Sequence, residues 1–356
     1  MPDEVEVTIG GTRFTAWEAL TLQRSIDSAA DAFSITAPFD PARQDVWKAF
    51  RPFSYPEATV AIDGEVLIRG TVESVGPSLS GGERQITVQG RSRTGVLIDC
   101  AIDGAGYQFA GMTIGEIAAR LCEPFGIEVV AGEAGSSVWS RAGAAAEEYG
   151  KPIEESRAQP GTSVFSFLQR LCDDLGVLAS CDAQGRLVIA KPASGQAPIA
   201  ALQEGRGGLL AVSADYDGTR RYSRYRVLQQ QDGLEAIEGL ATDPAIGAYR
   251  PTVLAGADGE ARSVQAAAEW ARAQALAASV GAQATVSGWR APGGEVWRPG
   301  RIVTLLAPSV YIGRESAYMI AGATLKLDAQ GGRTSELRLV LPATYTGQMP
   351  GGYPWD

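Results

Sequence analysis

Two stretches, LIRGTVESVGPSLSGGERQITVQG at residues 67–90 and MIAGATLKLDAQGGRTSELRLVL at 319–341, carry one plan twice. Each begins with an aliphatic residue, Ile, a variable residue and Gly. A strand-like run follows, then a Gly-Gly turn, an Arg and a closing strand of alternating polarity. Gly-Gly suits a tight hairpin because both central positions of the turn need positive φ. Read this way, LIRGTVESV corresponds to MIAGATLKL, and Gly81-Gly82 corresponds to Gly331-Gly332. The chain holds the same β unit in two copies.

Outward from the first copy, EVTIGGTRFTAW reads as a hairpin turning at Gly10-Gly11, and ATVAIDGEVLIRG as another turning at Asp63-Gly64. Short strands joined by such turns argue for a small barrel or sandwich over 1–99. RQDVWKAFRPFSYPEA interrupts it as an inserted loop with a short helical turn. Outward from the second copy, LLAVSADYDGTRRYSRYRVLQQQ and ATVSGWRAPGGEVWRPGRIVTLLAP supply further strands. The second barrel therefore covers 206–231 and 283–346. An insertion at 232–282 holds the alanine-rich helix SVQAAAEWARAQALAASV, capped by Ser263.

Between the copies, residues 100–205 change period. MTIGEIAARLCEPFGI has an apolar helical face at Ile114, Ile117, Ala118 and Leu121, a capping box at Thr113 and Glu116, and Gly126 as the C-terminal stop. TSVFSFLQRLCDDLGV repeats it with Val164, Phe167, Leu168 and Leu171, Ser163 as cap and Gly176 as stop. RLCEPFGI and RLCDDLGV are the same phrase, so Cys122 and Cys172 hold equivalent, core-facing positions in a duplicated helix–strand motif. The fold class is α+β and multidomain: two similar small antiparallel β-barrels joined by an α/β module, with a helical insertion in the second barrel. GQMPGGYPWD (347–356) reads as a flexible tail, since it is rich in Gly and Pro and has no periodic apolar face.

The 356 residues carry a net charge of −10 and no basic block, so the phosphate-gripping footprint of a nucleic-acid binder is missing. No apolar run is long enough to span a membrane, and the acidic, strand-like start MPDEVEVTIGG is not a secretory signal. The chain has no histidine, which removes the usual general base, the commonest zinc ligand and the Ser-His and Cys-His pairs. Cys100, Cys122, Cys172 and Cys181 lack CxxC spacing and read as reduced, buried thiols. GAGYQFAG from Gly104 lacks the dinucleotide spacing, and YGKP around Lys151 lacks the phosphate-loop glycine and hydroxyl. The carboxylate doublets Glu147-Glu148, Glu154-Glu155 and Asp173-Asp174 read as solvated faces. Asp215 and Asp217 offer too few oxygens for a metal. No catalytic, cofactor-binding or metal-binding residue is assigned.

The candidate assembly residues are aromatic and basic. A turn at Gly293-Gly294 brings Trp289-Arg290 and Trp297-Arg298 together, either as an assembly hot spot or as tryptophans half-buried under their own barrel with the arginines stacked outside; Tyr353 and Trp355 are candidate anchors in the tail. Trp, Tyr and Arg are the residue types enriched at binding hot spots.

FTAWEALTLQRSIDSAADAFSITAP, ITVQGRSRTGVLIDCA, DYDGTRRYSRYRVLQQQ and WRAPGGEVWRPGRIVTLLAP together resemble the Mu-like baseplate hub family, the phage tail protein P group, in order along nearly the whole chain. The family is related to the hub part of contractile-tail and type VI secretion spikes. The resemblance implies a non-enzymatic structural hub: a homotrimer whose six barrels form a ring, with the hexameric tail tube above, a trimeric puncturing spike below and other baseplate proteins around it. DNA would pass the lumen without specific binding. The hub would assemble in the host cytoplasm and reside in the virion tail. The rival readings are a tail-associated cell-wall hydrolase and a carbohydrate-binding module using Trp289 and Trp297.

Overall fold

The structure, a computed structural model, describes residues 3–15, 17–40, 42, 48–103, 107–131, 150, 152–192, 195–206, 208–229, 237–255, 264–328, 332–346 and 352–356. The readings placed on Gly104, Glu147, Glu148, Lys151, Ser263, Gly331 and residues 347–351 lie outside the described residues.

The first β unit comprises β1 (Val5–Ile9), β2 (Thr12–Phe14), β3 (Ala19–Ser25), β4 (Ala32–Pro38), β5 (Glu57–Ile62), β6 (Glu65–Ser80) and β7 (Glu83–Ser92). The middle module holds β8 (Gln108–Phe109), α1 (Ile114–Cys122), β9 (Val129–Ala131), β10 (Ser156–Arg157), α2 (Val164–Leu175), β11 (Leu178–Cys181) and β12 (Leu187–Ala190). After it come β13 (Ala201–Gln203), β14 (Leu209–Tyr216), β15 (Arg224–Gln229), β16 (Ile237–Thr242), β17 (Pro251–Ala255), α3 (Val264–Ala278), β18 (Val280–Ser287), β19 (Ile302–Ala307), β20 (Ile312–Asp328) and β21 (Gly332–Val340). The molecule is mostly β; the three longer helices lie in the module and the insertion, and short helical turns occur at Val96–Asp99 and Ala343–Thr346.

Local chemistry explains the ends of these elements. Gly81 (φ 57°) and Gly82 (φ 90°) form the two-residue turn between β6 and β7. Thr113 accepts from the Glu116 N–H while the Glu116 carboxylate accepts from the Thr113 N–H, which closes the capping box on α1. Ser163 caps α2, and Gly126 and Gly176 take the left-handed conformation where the two copies of the motif stop. One face of α1 and one of α2 enter a shared core with Phe109, Leu187 and Ile189. Cys122, Cys172 and Cys181 are buried and Cys100 is half-buried, all as free thiols.

The sequence reading expected two separate barrels. Among the described residues the strands instead form one open thirteen-stranded sheet, in the order β14-β18-β21-β20-β3-β4-β7-β6-β5-β1-β2, with β19 and β13 branching from β20. The cause is the length of β20. Its first half pairs β19, but at 17 residues it runs on, and its second half offers an edge that β3 fills from Gly322–Ser25 to Leu327–Leu20. One apolar core runs beneath both units.

The duplication is present at the level of hydrogen-bond ladders. Glu57–Thr71 through Val60–Ile68 in the first unit matches Ile302–Met319 through Leu305–Ser316 in the second, and an irregularity follows in each. Val75–Val88 matches Ala323–Leu337, Ile35–Val88 matches Ala284–Leu337, and Leu22–Phe33 matches Ala214–Ala282. Strands β3, β4, β5, β6 and β7 thus correspond to β14, β18, β19, β20 and β21. The residue equivalence differs from the sequence alignment: Gly322 corresponds to Ser74, four residues beyond Gly70. Bulges between Val72 and Ser74 and between Ile320 and Gly322 fix this register. The two glycines have different jobs. A β-carbon at Gly70 would stand 1.8 Å from the Arg91 carbonyl oxygen, whereas at Gly322 the nearest atom would be 3.4 Å away.

Gly70→Ala should therefore destabilise the fold by about 1–3 kcal/mol or more through overpacking, and Gly322→Ala by clearly less, as read by urea unfolding. Burial pushes the Cys122, Cys172 and Cys181 thiols up to about 12. Near neutral pH, thiol titration should label Cys100 first and the other three only on unfolding. Cys122→Ala and Cys172→Ala should each cost about 1–2 kcal/mol of lost burial.

Candidate functional site

The strands that build the core also present a second face. Leu20 and Leu22, Phe33 and Ile35, Ile86 and Val88, Ala282 and Ala284, Leu337 and Leu339, and Ala323 and Leu325 point into the core. Their alternates point the other way: Thr21 and Gln23, Ser34 and Thr36, Thr87 and Gln89, Gln283 and Thr285, Glu336 and Arg338, Thr324 and Lys326. This is a surface of hydroxyls and amides crossing both units. Its charges occur in pairs: Lys326 with Glu336 at 2.6 Å, Arg91 with Glu73 at 2.6 Å, and Arg338 with Asp27 at 2.6 Å.

Besides the outer sides of β2 and β13, two stretches of edge in the eight-strand run from β14 to β6 have no strand partner among the described residues. One is β6 from Glu73 to Ser80, which pairs only with β7, and the other is the outer side of β14. By the ladder equivalence these are the counterparts of the β20 and β3 edges that meet inside the chain. Leu79 on the open β6 edge is 70% exposed, while Leu327 at the equivalent place packs half-buried against the core. A two-residue turn makes Ser80–Glu83 a hydrogen-bonded pair, so alternation leaves Pro77–Ile86 non-bonded, and the missing N–H of Pro77 lies on the open edge.

Of the two readings of the Trp–Arg cluster, the structure matches the buried one. Trp289 is buried, donates to the Lys326 carbonyl at 2.9 Å and carries the Arg333 guanidinium 5.0 Å above its ring. Trp297 is also buried. Neither tryptophan offers a platform to a sugar or a partner. Arg290 reaches the first unit, bonding Asp3 at 2.9 Å and Asp63 at 2.7 Å, and Arg298 pairs with Glu295 at 2.6 Å. Arg290 thus serves the junction between the two units of one chain, while Trp289 packs within the second unit.

Tyr353 and Trp355 were expected in a mobile tail, yet residues 352–356 are docked. The Pro354 carbonyl accepts from the Gly313 and Arg314 N–H groups, and Tyr353 stacks on Trp355 with ring centroids 4.9 Å apart. Arg221 lies 5.3 Å above the Tyr353 ring and forms a buried pair with Asp243 at 2.8 Å, which ties the tail to the insertion. Trp355 meets Tyr216 edge-on, and Tyr216 meets Tyr311 in the same way. These residues, with Ile246 and Val280, line a recess of about 530 Å³. Composition signalled the aromatics, but the strand register that gathers Tyr216 and Tyr311 there was not visible in the sequence.

No group of three or more His, Cys, Asp or Glu able to hold a metal occurs among the described residues. Burial, with the neighbouring Asp174 charge, raises the pKa of the Asp173 carboxyl, but among the described residues no second carboxylate lines the recess beside it. No described helix is long and apolar enough to cross a membrane.

Comparison with known proteins gives the class, a structural component of a phage-type tail. Three family models match in sequence order: Mu phage baseplate assembly protein GpP-like, N-terminal, over 4–92; baseplate hub protein gp44-like, second domain, over 94–191; and Mu phage baseplate assembly protein GpP, fourth domain, over 260–347. The chain belongs to the Mu-like baseplate hub family. It is 28% identical to baseplate hub protein gp44 of Escherichia phage Mu, over 95% of this chain and 88% of that one. The crystal structure of the prophage MuSo2 43 kDa tail protein from Shewanella oneidensis is similar at 27% identity and TM-score 0.78, covering 96% of this chain and 99% of that one. An Escherichia coli type VI secretion component shares the fold at 12% identity and TM-score 0.56, over 99% of this chain and 78% of that one.

The internal junction has a titratable lock at its end. Burial works against the Asp27 charge, but hydrogen bonds from Arg338, Ser25 and Tyr345 outweigh it and hold the carboxyl below its ordinary value. A depressed folded pKa means stabilisation present above the unfolded carboxyl pKa and lost as pH falls through the folded one. Asp27→Asn should cost about 1 kcal/mol at neutral pH, since the site is partly exposed. Wild-type and variant urea midpoints should converge in acid.

Proposed function

We propose that the chain is the structural hub of a contractile phage-type baseplate, acting as a homotrimer without enzymatic activity. Three copies close head to tail into a ring that joins the hexameric tail tube to the trimeric spike and lets DNA through. The observation that carries this reading is the pair of open edges. Inside the chain the second unit's β20 edge pairs the first unit's β3. Repeating that junction between chains pairs β6 of one copy with β14 of the next. Each chain contributes eight strands to the continuous band, β14-β18-β21-β20 and β3-β4-β7-β6. Six similar four-stranded units then share one ring, so a three-fold assembly presents a nearly six-fold face, as a junction between a trimer and a hexamer requires.

The face of hydroxyls, amides and paired charges suits the lumen. Unpaired arginines would bind phosphates and hold the DNA, whereas a neutral or acidic wall lets it slide. The net charge of −10 supports the same reading. Assembly takes place in the host cytoplasm, and the ring resides in the virion tail with other baseplate proteins.

In the ring, Leu79 takes the environment of Leu327 and meets Val212 of the next copy. Leu79→Arg should therefore yield a folded monomer with a nearly unchanged melting temperature, where the wild type sediments as a trimer. A wild-type protein that stays monomeric at roughly 100 μM, far above the dissociation constants typical of a specific interface, would overturn the reading.

A further inference from the structure

We propose that the aromatic loop Phe53–Tyr55 of one copy seats in the recess formed by Tyr216, Tyr311, Trp355 and Ile246 of the next copy. The inference rests on the ring reading and names the side chains that hold neighbouring chains together.

Phe53 is 89% exposed and Tyr55 is 60% exposed, flanked by Pro52 and Pro56. Both have left-handed backbones, with φ of 60° and 47°, a conformation costly for aromatic residues and characteristic of binding and switch segments. The recess is lined by rings, opens beside β14, and has Tyr311, 76% exposed, at its rim.

Two contacts inside the chain show where this loop must point. The first is at the strand. Ile320 N–H donates to the Arg301 carbonyl just before β19, and Val72 N–H donates to the Pro56 carbonyl just before β5. In the internal junction Ile302, next to Arg301, packs with Ile26, the residue that follows β3. The counterpart of Ile302 is Glu57, next to Pro56, and the counterpart of Ile26 is Gly218, a lining residue of the recess. The loop ending at Pro56 therefore arrives at Gly218 of the next copy.

The second contact is at the turn. Arg290, in the β18–β19 connection, bonds Asp63 in the β5–β6 turn. The counterpart of the β18–β19 connection is the β4–β5 connection, which contains Phe53 and Tyr55. The counterpart of the β5–β6 turn is the β19–β20 turn. Tyr311 directly precedes β20 as Gly64, the neighbour of Asp63, directly precedes β6, both with positive φ (59° and 79°). The internal junction joins its loop and turn by an ion pair, and the junction between copies joins them by aromatic rings. Edge-to-face packing already arranges Tyr216, Tyr311 and Trp355, and two added rings extend that arrangement.

Cysteine cross-linking of the full chain tests this. The double variant Phe53→Cys with Tyr311→Cys should form interchain disulfides on mild oxidation, giving dimers and trimers on a denaturing gel, and either single variant should not. Ser78→Cys with Ser213→Cys reports on the strand junction independently, because the ladder places those residues opposite each other as a closely spaced non-bonded pair. Cross-linking at 78/213 without cross-linking at 53/311 would overturn the aromatic seat and leave the ring intact. No cross-linking at either site, with a monomeric wild type, would overturn both. Phe53→Ala with Tyr55→Ala should weaken self-association about tenfold or more, as loss of a hot spot does, with an unchanged melting temperature. An unaltered dissociation constant would also overturn the proposal.

Discussion

The antiparallel pairing of β3 with β20 is the constraint on which the rest of the architecture depends. It matches Gly322 through Leu327 with Ser25 through Leu20, residues some 300 positions apart in the chain. It merges two β units into one sheet, so a single apolar core serves both. Around it gather the Arg290–Asp63 ion pair at one end and the Asp27–Arg338–Tyr345 network at the other. Ile26 leaves β3 directly into a cluster with Val188 and Ala190, which anchors the middle module to the same seam. Every unit other than the insertion takes its position from this ladder.

Because the ladder joins unlike halves head to tail, it leaves unlike ends. One end of the band is β14 and the other is the far half of β6, and each is the counterpart of a strand already paired within the chain. Among the described residues neither of these two ends meets its counterpart. The polar face follows from the same geometry: alternation along strands with one apolar side gives every strand in the band a hydrophilic side, continuous across the seam.

Much of this was legible in the sequence, and the illegible parts have physical causes. Tight turns at Gly81-Gly82 and Asp63-Gly64, the capping residues Thr113 and Ser163 and the stops Gly126 and Gly176 are local signals, and local signals survive without tertiary information. Register does not. A bulge shifts a strand without any marker in composition, which is why Gly70 and Gly322 look alike in sequence and stand four positions apart in the ladder. Two small antiparallel barrels were expected because turn signals count strands but cannot say which edge meets which. For Trp289 and Trp297 the surface and buried readings stood level, because Trp-Arg pairs are common both at interfaces and beneath a sheet, and composition does not separate inside from outside. Phe53 and Tyr55 passed as part of an inserted loop. The available signal was two aromatics held between prolines in a segment with no apolar period.

Pro77 bears on the life of the chain before it meets its partners. An open strand edge is a template for any extended peptide, and a newly made protein with two such edges risks joining the wrong neighbour or growing into fibres. The ring nitrogen removes one donor from the middle of the β6 edge, so backbone pairing alone gives an incomplete ladder there. A stray strand gains little from it. A partner that adds side-chain contacts on either side of the gap would recover the loss, so under the proposed ring a single imino acid would proofread assembly.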